Sequence, residues 1–194
     1  MVNYPNRKGS YESRNQTSYA NRGMTLEDDL NLTNRYYLDT DRAVIYKKPT
    51  PITVVNVDYQ SRATARITEA YYQIPSTTDY NGIYKGKYLD FEAKECASAT
   101  SMPVAIIHPH QLEHLRRVTA QGGITFLIVR FTHYDETYVV RYETFASCLE
   151  TISRKSVPYD WFRKNAVLVP YNYVVKVNYL DVIDLWIDGG CSNE

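Results

Sequence analysis

Hydrophobic and polar positions alternate most cleanly from Lys87 to Lys94. Leu89, Phe91 and Ala93 fall on one face, and Asp90, Glu92 and Lys94 on the other. Strict alternation marks a strand with one buried face. The residues before it, Ser76 to Tyr84, complete a hairpin if Lys85-Gly86 is a two-residue turn. In that register position 84 faces 87, position 82 faces 89, Asp79 falls opposite Glu92, and Thr77 opposite Lys94. Opposed residues share a face, as do residues two apart on one strand. Asn81-Gly82 is the stronger turn dipeptide, and a turn there separates Asp79 from Glu92. Lys85-Gly86 leaves matched strands on both sides, and Tyr88 is ambiguous between the two faces.

Upstream the period lengthens. Leu26, Leu30, Tyr37 and Leu38 form a helical stripe. Thr25 is its N-cap, and Glu27, Asp28 and Asp29 suit the positive end of the helix dipole. Ala43 to Tyr46 reads as a short strand, and Lys47-Lys48-Pro49-Thr50-Pro51 as a rigid basic break. ITVVNVDY and ATARITEAYYQ are extended segments joined at Gln60-Ser61-Arg62, which predicts a protruding hairpin with Arg62 near its tip and Arg66 below. An isolated ribbon is marginal in water and needs a partner, either another chain or a ligand.

Downstream, Ala97 to Pro109 reads as a loop carrying Met102 and Pro103. Pro109 opens a helix that Gly122-Gly123 closes. ITFLIVRF and TYVVRYETF read as strands, Lys155 to Tyr159 as turns, and YLDVIDLWI as a helix packing through Leu180, Ile183 and Trp186. This order predicts a mixed α/β fold around one central sheet, with no internal repeat.

Composition narrows the picture. A chain of 194 residues with 44% hydrophobic positions supports one good core. Its 22 basic and 22 acidic residues balance, so any polyanion must be met by a local patch. Tyrosine is abundant, 19 against 5 phenylalanines, which suits half-wet surfaces and a β-rich core. Residues 1–22 are polar, with Arg7, Lys8, Arg14 and Arg22. They are expected to form a flexible basic arm, either a passive tail or one lying on phosphates. Residues 23–194 are expected to form a single domain. Three widely spaced cysteines without a CxxC argue against a disulfide framework or a thiolate zinc site, and no leader or membrane-spanning run is read. The expected compartment is the cytoplasm.

Two carboxylates facing each other across a sheet repel unless something positive lies between them. A divalent cation between Asp79 and Glu92, with Lys94 beside it, is one solution. An ordinary solvated face with a cross-strand ion pair is the other. His110 and His114 are four apart and share a helix face, but HExxH and a fourth ligand are missing. The absence of a Gly-rich phosphate loop and of GxSxG argues against P-loop nucleotide hydrolysis and a serine nucleophile.

Four strings carry a resemblance: ANRGMTLEDDLN (20–31), AVIYKKPTPI (43–52), EAYYQIPSTTDYNGIYKGKYLDFEAKE (69–95) and HPHQLEH (108–114). In order and over most of residues 20–130, the chain resembles the RecU family of Holliday junction resolvases in the PD-(D/E)xK nuclease superfamily. The resemblance implies a restriction-endonuclease-like α/β fold, a central mixed sheet flanked by helices, with a stalk hairpin at about 51–76. It implies a homodimer acting on four-way junction DNA, with branch-migration helicase and recombinase as further partners. It implies Mg2+, with Mn2+ as substitute, held by Thr77, Asp79, Glu92 and Gln111. Asp79, Glu92 and Lys94 are the implied catalytic residues, with Lys94 acting either as base or as charge stabiliser. Glu27 stands where the superfamily often has a helical acid near the metal. Arg62, Arg66, Lys47, Lys48, Lys85 and Lys87 are the basic residues expected on DNA. Thr78 replaces the proline of the superfamily pattern, and the neutral net charge departs from the family's usual balance. A binding protein that holds junctions and recruits other factors, and a nuclease for flaps or plain duplex, are the alternative readings.

Overall fold

The computed structural model describes residues 25–73 and 77–189; the arm expected at residues 1–22 lies outside them. The first helix, α1 (Leu26–Asp39), starts where the sequence places it. Thr25 and Asp28 close a reciprocal capping box, and three acids occupy the first turn. Its buried side, Leu26, Leu30, Thr33, Asn34 and Tyr37, faces the sheet.

Among the described residues ten strands follow: β1 (Val44–Lys47), β2 (Ile52–Asp58), β3 (Arg66–Tyr72), β4 (Tyr80–Tyr84), β5 (Lys87–Cys96), β6 (Ser101–Pro103), β7 (Ile124–Phe131), β8 (Glu136–Arg141), β9 (Ser156–Pro158) and β10 (Val167–Val169). The remaining helices are α2 (Pro109–Ala120), α3 (Tyr142–Thr151), α4 (Tyr159–Asn165) and α5 (Leu180–Asp188). The main sheet has six strands in the order β1-β4-β5-β7-β8-β10. Among the described residues, β5 and β7 are the one pair that runs parallel, and α2 lies in the crossover that such a pair needs.

The alternation of β5 divides the interior in two. Leu89 and Phe91 enter a core with α1 and α5, together with Phe126, Ile128, Tyr179 and Leu180. Cys96 enters a second core with Leu115, Phe145 and Phe162, together with Leu127, Val129 and Phe131. Tyr80, Phe91 and Phe126 stack across β4, β5 and β7 with centroids 4.9 and 4.6 Å apart. Phe91 is thereby fixed on one face, and its neighbour Glu92 is directed to the other.

The β4–β5 turn is Lys85-Gly86, with φ of +47° and +72°, the type I′ requirement of two positive values. Asn81-Gly82 is not a turn. It lies inside β4, where a Cβ on Gly82 would stand 2.1 Å from the Val44 carbonyl oxygen, so the glycine lets β1 approach.

Strands β2 and β3 form a separate antiparallel ribbon with every residue exposed, closed at its base by Gln73 N–H donating to Pro51 O at 3.0 Å. The architecture is a mixed α/β sheet between helices, with an antiparallel ribbon standing off it. Two local expectations fail. Met102 is not in a loop: it is fully buried in β6, which pairs with β9, in the region read as turns. TYVVRYETF is not one strand: β8 ends at Arg141 and α3 begins at Tyr142, because Phe145 and Cys148 bury at helical spacing.

Candidate active site

The pairing Tyr80↔Phe91 leads by one further position to Asp79 and Glu92, and the Asp79 N–H donates to Glu92 Oε2 at 3.2 Å. Glu92 has no exposed surface. Burial, reinforced by the adjacent Asp79 carboxylate, pushes its carboxyl group up to about 8 against the counter-pull of Lys94. Lys94 Nζ donates to Glu92 Oε1. Gln111 Nε2 donates to the same oxygen at 2.7 Å. The Gln111 oxygen accepts the His108 N–H at 2.9 Å, so the cap of α2 also orients the amide. Thr77 lies two residues before Asp79, half-buried, with its hydroxyl toward Thr78 O at 3.4 Å.

On the α1 side, a cleft of about 280 Å³ is lined by Thr25, Glu27, Asp79, Tyr80, Lys94 and Glu95 among others. Glu27 is held there by Lys47. Glu95 Oε1 accepts the Leu26 N–H at 2.7 Å, satisfying one of the unpaired donors that open a helix. Asp79, Glu92, Lys94 and Gln111 thus converge, with Glu27 across the cleft.

The basic residues divide. Arg62 and Arg66 are exposed on the ribbon. Lys48 turns inward: its Nζ reaches Asp90 Oδ2 and Thr78 Oγ1, each at 2.9 Å. Lys85 pairs with Asp184 at 2.7 Å at the far end of β4, and Lys87 follows the turn there; neither is brought to the cleft. His114 reaches Asp90 at 3.0 Å, while the His108 and His110 rings stack 5.4 Å apart. The buried Asp90 and its partners Lys48, Thr78, Tyr88 and His114 are what sequence reasoning missed. The shared face of Asp90 and Glu92 was the available signal, but nothing local shows three donors, Lys48, Thr78 and His114, arriving from elsewhere.

Among the described residues, no three His, Cys, Asp or Glu side chains form a ready-made metal cage. Magnesium does not require one, since it keeps several waters beside one or two carboxylates. Two neighbouring carboxyl groups, Asp79 and the buried Glu92, with the Gln111 amide beside them, are oxygen-bearing groups that fit such an ion, and Lys94 lies next to them as a separate positive charge.

The family described as RecU, recombination protein U, matches residues 21–185. The chain belongs to the RecU family. Among curated relatives of this RecU-family chain, a Holliday junction resolvase RecU of Oceanobacillus iheyensis is 48% identical over 192 residues, covering 94% of this chain and 98% of the relative. One of Geobacillus kaustophilus is 46% identical over 184 residues, covering 93% and 92%. A solved structure of Archaeoglobus fulgidus Hjc, a Holliday junction resolvase from an archaeal hyperthermophile, aligns at a TM-score of 0.41 with 7% identity, covering 71% of this chain and 93% of that one. The RecU match starts before α1 and ends within α5, so it takes in both cores, the ribbon and the cleft.

Proposed function

We propose that this chain is a Mg2+-dependent endonuclease that resolves four-way DNA junctions by paired, symmetric nicks, as a homodimer acting in recombination and repair. The observation that carries this reading is the convergence of Asp79, Lys94 and Gln111 on the buried Glu92 carboxyl, beside an exposed ribbon with arginines. Family membership and the names of the relatives support the substrate.

Asp79 and Glu92 would hold the metal, with Thr77 and Gln111 completing its shell or placing its waters. Bound there, Mg2+ would supply Lewis-acid stabilisation of phosphate charge and a more acidic water. The chain's own groups do the positioning. Gln111 fixes one Glu92 oxygen and the Asp79 peptide fixes the other. Lys94, whose side chain is 20% exposed, is placed to meet negative charge developing on the phosphate, and we assign it that role over proton abstraction. Glu27, held by Lys47, lies at the edge of the same cleft as a metal-proximal acid.

The ribbon supports the choice of a junction. Its apolar residues, among them Val55, Ile67 and Tyr72, are exposed, which suits a second copy or a DNA opening. Arg62 and Arg66 would meet phosphates and read shape rather than bases. Helicase and recombinase contacts would fall on the same projection. No described helix is long and apolar enough to cross a membrane. Action on DNA would place the protein in the cytoplasm.

The test is cleavage of synthetic four-way, flap and linear DNA with Mg2+ by wild type and Asp79→Asn. Junction-only cleavage, lost in the variant, is expected. Retention of the junction without nicks would make the protein a scaffold, and equal cutting of all three DNAs would remove the junction from the proposal.

A further inference from the structure

Asp90 is completely buried, and its carboxylate collects donors from four segments. Lys48 Nζ reaches Oδ2 at 2.9 Å, the Tyr88 hydroxyl at 3.0 Å and His114 Nε2 at 3.0 Å, while the Thr78 hydroxyl donates to Oδ1. Lys48 also donates to the Thr78 hydroxyl at 2.9 Å, and Asn81 Nδ2 donates to the Tyr88 hydroxyl at 3.0 Å. Desolvating an ion pair offsets much of its attraction, so a buried pair is weak evidence for stability. A fully satisfied network of this kind instead holds one geometry.

What it holds is the active site. Thr78 lies in the chain between Thr77 and Asp79. The Lys48 N–H donates to the Asp79 carbonyl at 2.8 Å, so Lys48 grips that segment from backbone and side chain together. Asp90 precedes Glu92 by two residues on the same face of β5. His114 is one helical turn beyond Gln111 on α2. Thr77 and Asp79 thus flank Thr78, Glu92 stands two positions from Asp90 on one strand face, and Gln111 stands one helical turn from His114. Lys48 also stands where the chain leaves β1 for the ribbon.

We propose that Asp90 and Lys48 are a positioning pair: they set Thr77 and Asp79 against Glu92 and Gln111, and they fasten that arrangement to the root of the ribbon. The pair touches neither DNA nor metal. This inference rests on the nuclease reading above.

The test uses Asp90→Asn, Lys48→Met and the double variant in the full chain. Three quantities are measured: thermal stability, Mn2+ affinity without DNA by electron paramagnetic resonance, and single-turnover junction cleavage across Mg2+ concentrations. Each single variant is expected to weaken Mn2+ binding and to slow cleavage by about 10–100-fold, the usual range for groups that orient metal ligands. Junction binding in EDTA is expected to be unchanged. The double variant buries no unpaired charge and is expected to regain thermal stability without regaining Mn2+ affinity or cleavage.

Recovery of stability, metal affinity and rate together in the double variant would make the pair merely structural and overturn the proposal. So would wild-type Mn2+ affinity in Lys48→Met, which keeps three donors on Asp90 and serves if the Asn variants do not fold. Loss of junction binding in Lys48→Met with an unchanged Mg2+ midpoint would return Lys48 to the DNA surface and equally overturn it. A wild-type protein inactive on every DNA would instead sink the nuclease reading, whereas an active wild type with an unaffected Asp90→Asn would sink this inference alone.

Discussion

Glu92 connects the burial of β5 to the chemistry of the cleft. Its carboxyl is pushed up to about 8 by desolvation and by Asp79, well above its ordinary value of 4.5. The sign of the pH dependence follows. Below about pH 4.5 the folded and unfolded chains both hold the proton. As pH rises the unfolded chain ionises first, so the metal-free fold loses stability until Glu92 itself ionises near 8, with about 1.4 kcal/mol per unit of displacement. A bound cation favours the ionised form, so metal binding at pH 6.5 is expected to release about one proton, falling toward zero above pH 9. Calorimetry of Mg2+ binding in two buffers of different ionisation enthalpy reads this directly. Release of no proton at pH 6.5 would mean that Glu92 is already ionised in the metal-free protein.

At the scale of elements, the β4–β5 hairpin rests on two glycines with different tasks. Gly86 supplies a positive φ in open space, while Gly82 makes room for the backbone of β1. Gly82→Ala is therefore expected to cost about 1–3 kcal/mol by forcing β1 away. Gly86→Ala, strained but unobstructed, should cost about 1 kcal/mol. Denaturant midpoints of the two variants order them, and equal losses would remove the close approach as an explanation. The hairpin was legible because its alternation and its turn chemistry agree on one register. The N-cap of α1 and the Pro109 start of α2 were legible for the same reason: local signals coincide with the tertiary fold. What escaped was either short or non-local. Ser101–Pro103 carries no period, and its partner Ser156–Pro158 is more than fifty residues away. Tyr142 and Phe145 extend a β-like run, and only the burial of Cys148 a turn later marks the helix. In the site, the facing of Asp79 and Glu92 could be read from register. The inward turn of Lys48 could not, because Asp90 lies forty-two positions further along the chain.

At the scale of the molecule, the sheet carries helices on both faces while the ribbon buries nothing in one chain. Apolar residues on a projection that a single copy leaves bare favour pairing across a two-fold axis, and a four-way junction presents an approximate two-fold of its own. On the proposed reading, a dimer of that kind would set one Asp79–Glu92 site against each of two strands of like polarity. Asp79, Glu92, Lys94 and Gln111 come together within one chain, so on this reading each nick would depend on its own protomer. Mixed dimers of wild type and Asp79→Asn, isolated by two different affinity tags and given an excess of protein over junction, are therefore expected to nick one strand and stop. Wild-type dimers should release paired, ligatable duplexes in the same single encounter. Denaturing and native gels of one labelled junction separate these products. Full resolution by the mixed dimer would show that one cleft serves both strands, and the two-fold argument for junction choice would fall with it.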